Sequence, residues 1–135
     1  MWQLILFLFI IYCMKEQKKT LVLGASENPA RYSYLAINRL RANQHPVVAI
    51  GRRAGKVSDV NIITDQPPVN DIDTVTLYLN VQHQKEYYDY ILSLYPKRII
   101  FNPGAENDEL AAMAARQGIQ PMEACTLVLL STGQY

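Results

Sequence analysis

The sequence predicts an α/β fold with three layers and a five-stranded, mainly parallel sheet. Two observations predict it. Short apolar runs ended by glycine, asparagine or proline alternate with helical stretches, and strands that alternate with helices form parallel sheets with right-handed crossovers. The 135 residues with 50% hydrophobic and 19% charged content suit one globular domain with a real core. A parallel sheet that begins with a strand ended by glycine reads as Rossmann-like.

Thr20-Leu21-Val22-Leu23, stopped by Gly24, is the pattern of a strand buried on both faces. Ser33 to Asn43 follows as a helix, with Ala36, Ile37 and Leu40 on one face and Arg39 and Arg41 solvated. Pro46 to Ile50 is a second buried strand, with proline at its permitted first position. Residues 51–71 are loop-like, with a short edge strand at Asn61-Ile62-Ile63. Asp73 to Leu79 is the third main strand. Val81 to Tyr95 reads as a helix with Tyr87, Ile91 and Leu94 or Tyr95 inward, stopped by Pro96. Arg98 to Phe101 is the fourth strand. Asn107 caps the next helix, Arg116 lies in its last turn and Gly118 just past its end. Ile119 to Met122 begins the fifth strand, and Cys125 to Leu130 forms a terminal helix.

The domain occupies residues 18–135, and residues 1–17 form an apolar leader outside the fold. Leu4 to Cys13 is about half the ~20 residues a spanning helix needs, so stable membrane insertion is not expected. Met14 followed by Lys15-Glu16-Gln17-Lys18-Lys19 reads as a soluble start, and residues 1–13 read as an upstream start assignment or a tag. The competing expectation is a short membrane-associating leader with Lys15, Lys18 and Lys19 on the cytoplasmic side. Cys13 and Cys125 suggest neither a disulfide framework nor a metal site, which fits a reducing cytoplasm.

Net charge is +1, so nothing global points to nucleic acid. Its placement is more telling: Arg31, Arg39, Arg41, Arg52, Arg53 and Lys56 follow one another with no acid between them. Positive charge concentrated in one stretch points to a polyanionic small ligand. In such sheets ligands bind at the C-terminal strand ends, near the point where strand order reverses. That rim comprises Gly24 to Ser33, Gly51 to Lys56, Asn80 to Gln82 and Asn102 to Glu106.

The first loop sets a glycine directly after a strand and a helix start close behind, where amide donors and the helix dipole suit phosphate. The dinucleotide fingerprint G-x-G-x-x-G is absent, because Ser26 and Pro29 stand where its later glycines belong. The second loop, Ile50-Gly51-Arg52-Arg53-Ala54-Gly55-Lys56, lacks the acid that holds ribose hydroxyls in NAD-binding domains. Arginines there suit a ribose-borne phosphate, as in NADP or coenzyme A.

Val22-Leu23-Gly24-Ala25-Ser26, Asn28-Pro29 and Arg31-Tyr32-Ser33-Tyr34 resemble the opening of the small stand-alone CoA-binding proteins. Those are related to the CoA-binding domain of the succinyl-CoA synthetase α subunit. The resemblance continues through Val47 to Gly55, Asp73 to Leu79, Asn102 to Asn107 and Gly118 to Cys125. It implies a Rossmann fold that binds coenzyme A or an acyl-CoA through the first two loops. Gly24, Ala25, Ser26 and Arg31, with Tyr32 and Ser33 beside them, would hold the pyrophosphate side. Arg52, Arg53 or Lys56 would meet the 3′-phosphate, and Asn80 and Val81 would flank the adenine or ribose.

No catalytic set accompanies these residues. His83 is a lone rim histidine, read as a capping or surface group. Cys125 reads as an inert buried thiol, and Tyr87, Tyr88, Tyr90 and Tyr95 as packing residues. The expectation is a non-catalytic binding or sensor module, and the tyrosine-rich helix with the apolar tail suggests a homodimer. The alternative is an NADP-dependent oxidoreductase or an NADP-binding regulatory domain.

Overall fold

A computed structural model describes residues 1–13 and 16–135. The elements are α1 (Trp2–Cys13), β1 (Thr20–Leu23), α2 (Tyr32–Ala42), β2 (Val47–Ile50), β3 (Gly55–Val57), β4 (Val60–Ile63), β5 (Thr74–Leu77), α3 (Val81–Gln84), a 3-10 turn (Lys85–Tyr87), α4 (Tyr88–Ser93), β6 (Arg98–Phe101), α5 (Asp108–Arg116), β7 (Gln120–Glu123) and α6 (Thr126–Ser131). The sheet has seven strands in the order β3-β4-β2-β1-β5-β6-β7. All five expected strands are present and parallel. The additional pair lies within residues 51–71: β4 runs parallel to β2, and β3 folds back antiparallel onto β4. The run at Asn61-Ile62-Ile63 is therefore interior, and β3 is the edge.

Side chains on β1 alternate between two cores, as strand geometry requires. Leu21 and Leu23 join Val75, Leu77, Ile99 and Phe101 beneath Tyr88, Ile91 and Leu110 of α4 and α5. Val22 joins Ala49 and Ile62 beneath Ile37 and Leu40 of α2, with Leu130 of α6 packed against them. Fully burying one such Leu or Phe side chain contributes about 1.5–3 kcal/mol. These two cores make the three layers of a Rossmann-like α/β fold.

The expected helix from Val81 to Tyr95 is instead two short helices joined by the 3-10 turn. Its buried residues are Gln84, Tyr88, Tyr90 and Ile91, whereas Tyr95 is 70% exposed. A buried amide displaces the apolar register here. Gln84 Nε2 donates to the carbonyls of Leu79 (2.8 Å) and Ala105 (2.7 Å), and Asn107 Nδ2 donates to Gln84 Oε1 at 2.9 Å. Asn107 also caps α5, its Oδ1 accepting the Leu110 amide at 3.1 Å. Arg41 departs from its expected solvated role: it forms a two-pronged bond to Asp59 at 2.8 and 2.9 Å and tethers α2 to the β3–β4 turn.

At the N-terminal strand ends Arg98 is buried. It donates to Thr74 Oγ1 (2.7 Å) and to the Tyr135 carbonyl (2.9 Å), and its guanidinium lies 4.4 Å from the Tyr135 ring centroid. Helix α1 is apolar apart from Gln3 and exposes Trp2 and Leu4 to Leu8. No described helix is long and apolar enough to cross a membrane. The start read at Met14-Lys15 lies outside the described residues.

Two helices end in the same way. Gly118, at φ +79°, follows α5, and the amides of Gly118 and Ile119 return to Ala115 and Ala114. Gln44, at φ +66°, follows α2, and the amides of Gln44 and His45 return to Arg41 and Leu40. This motif prefers glycine, since a Cβ is strained in the left-handed region. Gln44→Gly is expected to raise stability by about 1 kcal/mol, read from urea unfolding midpoints at unchanged slope.

Candidate functional site

Chain direction across the sheet reverses between β1 and β5. β2, β4 and β3 extend to one side of β1, and β5, β6 and β7 to the other. A cavity of about 740 Å³ opens at the C-terminal strand ends there, within the usual range for small-molecule sites. Its walls come from the four loops that the sequence places on this rim.

The first loop shapes itself. The amides of Gly24 and Ala25 both donate to the Ile50 carbonyl at 2.9 Å, tying the loop to the end of β2. Gly24 adopts φ +92°, and a Cβ there would lie 2.9 Å from the backbone of Tyr78. Next, the Asn28 amide donates to Ser26 Oγ, and the Ala30 amide donates to Asn28 Oδ1, both at 3.0 Å. These side-chain bonds shape the turn locally. Arg31 holds the cap position of α2 in extended conformation without a side-chain cap bond. An anion is a natural acceptor for amides in such a first turn.

The second loop touches the first backbone to backbone. A Cβ on Gly51 would fall 2.3 Å from the Ala25 carbonyl oxygen, so only glycine allows this approach. Glu27 completes the junction: its carboxylate accepts the Lys56 amide at 3.0 Å and fills the space a side chain on Gly55 would need. Arg52 and Arg53 then project from this junction into the cavity lining. Arg52 Nη2 lies 3.0 Å from His83 Nε2 across the opening. Burial, then the charge of Glu86, pushes the Tyr87 phenol above its ordinary range, against the opposing influence of Arg52. Tyr87 is thus a neutral hydroxyl.

Of the expected site residues, Gly24, Ala25, Ser26, Arg31, Tyr32, Ser33, Arg52, Arg53 and Asn80 line one cavity. Lys56 and Val81 are not among its lining residues. Lys56 is carried off on β3, exposed, and Val81 begins α3 beyond the cap residue Asn80. The backbone amides of Gly24 and Ala25 are committed to Ile50, and those of Asn28, Ala30 and Arg31 to acceptors within the loop. Sequence reasoning missed Glu27, Glu86 and Tyr87 as lining residues and read His83 as a surface group. The signal for His83 was its place just past the third rim loop. Cys125, a free thiol that precedes α6, is not among the cavity residues. The Tyr78 hydroxyl is buried beside Thr76 and Thr126, and burial holds its ionisation well above the usual phenol range.

The sequence pattern of the CoA binding domain matches residues 18–131. The chain belongs to this CoA-binding family. A crystal structure of an uncharacterized protein is similar to this CoA-binding domain at 49% identity and TM-score 0.87, over 90% of this chain and all of that one. A hypothetical protein from Pyrococcus horikoshii OT3 shares the fold at 19% identity and TM-score 0.78, over 87% of this chain and 84% of its own. An oxidoreductase from Bacillus cereus shares it more distantly, at 16% identity and TM-score 0.54; 79% of this chain covers 34% of that one. No curated protein matches the sequence.

Gly51→Ala tests the junction of the CoA-binding domain's first two loops. The added methyl meets a backbone oxygen, so the variant is expected to lose about 2 kcal/mol or more of stability in urea unfolding. A loss below about 0.5 kcal/mol would show that the loops separate freely.

Proposed function

We propose that this domain binds coenzyme A or an acyl-CoA in the cavity between its first two loops, as a non-catalytic binding or sensor module. The observation that carries this reading is that Arg52 and Arg53 line the same cavity as Ser26, Arg31 and Ser33 of the first loop. A ribose-borne phosphate at the arginines and a pyrophosphate at the start of α2 satisfy both walls at once. Arg31 adds charge at the pyrophosphate end, and Asn80 borders the adenosine. Lys56, outside the lining, has no part in this reading. Family membership favours coenzyme A over NADP, whose 2′-phosphate suits the same arginines. The free thiol of Cys125 agrees with a reducing cytoplasm.

Calorimetry with coenzyme A, dephospho-CoA, NADP and NAD tests the assignment. Coenzyme A is expected to bind tightest, and removal of its 3′-phosphate to weaken binding about tenfold or more. The Arg52→Ala/Arg53→Ala double variant is expected to lose that same factor for coenzyme A and little for dephospho-CoA. Tighter binding of NADP than of coenzyme A would overturn the proposal.

A further inference from the structure

Arg52 and His83 come from opposite walls and meet at 3.0 Å. A guanidinium offers only donors, so His83 Nε2 is the acceptor and the ring here is the neutral Nδ1–H form. His83 is also held from behind, its amide donating to Asn80 Oδ1 at 3.1 Å. The ion pairs among the described residues join Arg41 to Asp59 and Lys97 to Asp73, and neither involves Arg52. The cationic side chain that the site presents to an anion is thus turned toward a neutral imidazole. Around that pair, the charged and titratable groups lining the cavity are Arg31 from the α2 cap, Tyr32 at the start of α2, Glu27 from the first loop, Arg53 beside Arg52, Tyr78 just past β5, and Glu86 and Tyr87 from the turn after α3.

We propose that His83 is a second ligand of the 3′-phosphate, one that takes up a proton when the phosphate binds. This rests on the coenzyme A reading and deepens it. A phosphate oxygen that engages Arg52 removes the donor from Nε2 and sets an anion beside it. A proton from solvent then binds Nε2, and the imidazolium donates to the same phosphate. One ion–neutral contact is exchanged for two bonds between opposite charges. Binding raises the pH at which His83 titrates, so the added affinity is full below the imidazole range and is lost as pH rises through it.

The chain has two histidines, so the imidazole proton signals of the full-length protein are assigned by comparing it with His83→Gln. The glutamine keeps a neutral acceptor for Arg52 but takes up no proton. Saturating coenzyme A is expected to raise the His83 titration midpoint by about one pH unit. Dephospho-CoA is expected to raise it far less, and His45, at the other end of the strands, is expected not to respond. His83→Gln is expected to bind coenzyme A about fivefold more weakly at pH 6 and nearly as tightly as the wild type at pH 8. An unmoved midpoint in a protein that binds coenzyme A overturns this proposal and leaves the coenzyme A reading standing. Equal shifts with coenzyme A and dephospho-CoA overturn it as well, since the 3′-phosphate is then not the partner. Failure of the wild type to bind coenzyme A overturns both.

Discussion

The site depends on one close approach, where Gly51 passes the carbonyl of Ala25 with no room for a side chain. The first two loops can form one cavity only because backbone meets backbone there. The Ile50 carbonyl accepts both the Gly24 and Ala25 amides and so fixes the start of the first loop to the end of β2. Glu27 fixes its middle to Lys56. Arg52 and Arg53 thereby acquire a set distance from the first turn of α2. Their value to a ligand lies in that spacing more than in their charge alone, because an exposed arginine that is not preorganised gains little from a phosphate in water.

The remaining walls are held by buried amides. Gln84 binds the carbonyls of Leu79 and Ala105, joining the third loop to the fourth. Asn102 joins β6 to β5 and α6: it donates to Thr76 Oγ1 and the Leu77 carbonyl and accepts the Thr126 amide. Such groups are costly to bury unless satisfied, and once satisfied they define a single arrangement. The cavity is therefore largely preformed, which lowers the ordering cost of binding. Arg98, Tyr135 and Thr20 hold the opposite end of the sheet.

Much of this was legible in the sequence. The parallel strands that build the sheet centre are runs such as Leu21 to Leu23 and Ile99 to Phe101, whose burial on both faces leaves a continuous apolar signal. The β3–β4 hairpin was not legible as a pair of strands, because Gly55-Lys56-Val57 is short and Lys56 and Asn61 face solvent. The helix after β5 was misread because periodicity counts Gln84 as polar and outward, whereas it is fully buried to serve backbone carbonyls. Within the site, the glycine and the paired arginines announced themselves by type and position. Glu27 did not, since a carboxylate in a loop expected to hold phosphate looks misplaced until Gly55 is seen to make room for it. The partnership of Arg52 and His83 joins residues far apart in sequence, and only the topology brings them together.

Amide chemical-shift mapping during a coenzyme A titration locates the ligand on the fold. The largest shifts are expected within residues 24–33 and 51–54 and around Asn80 and His83, with Glu16, Lys97 and Gln120 at the opposite end of the sheet unaffected. Saturable shifts centred on that opposite end, or none among the first two loops, would contradict it.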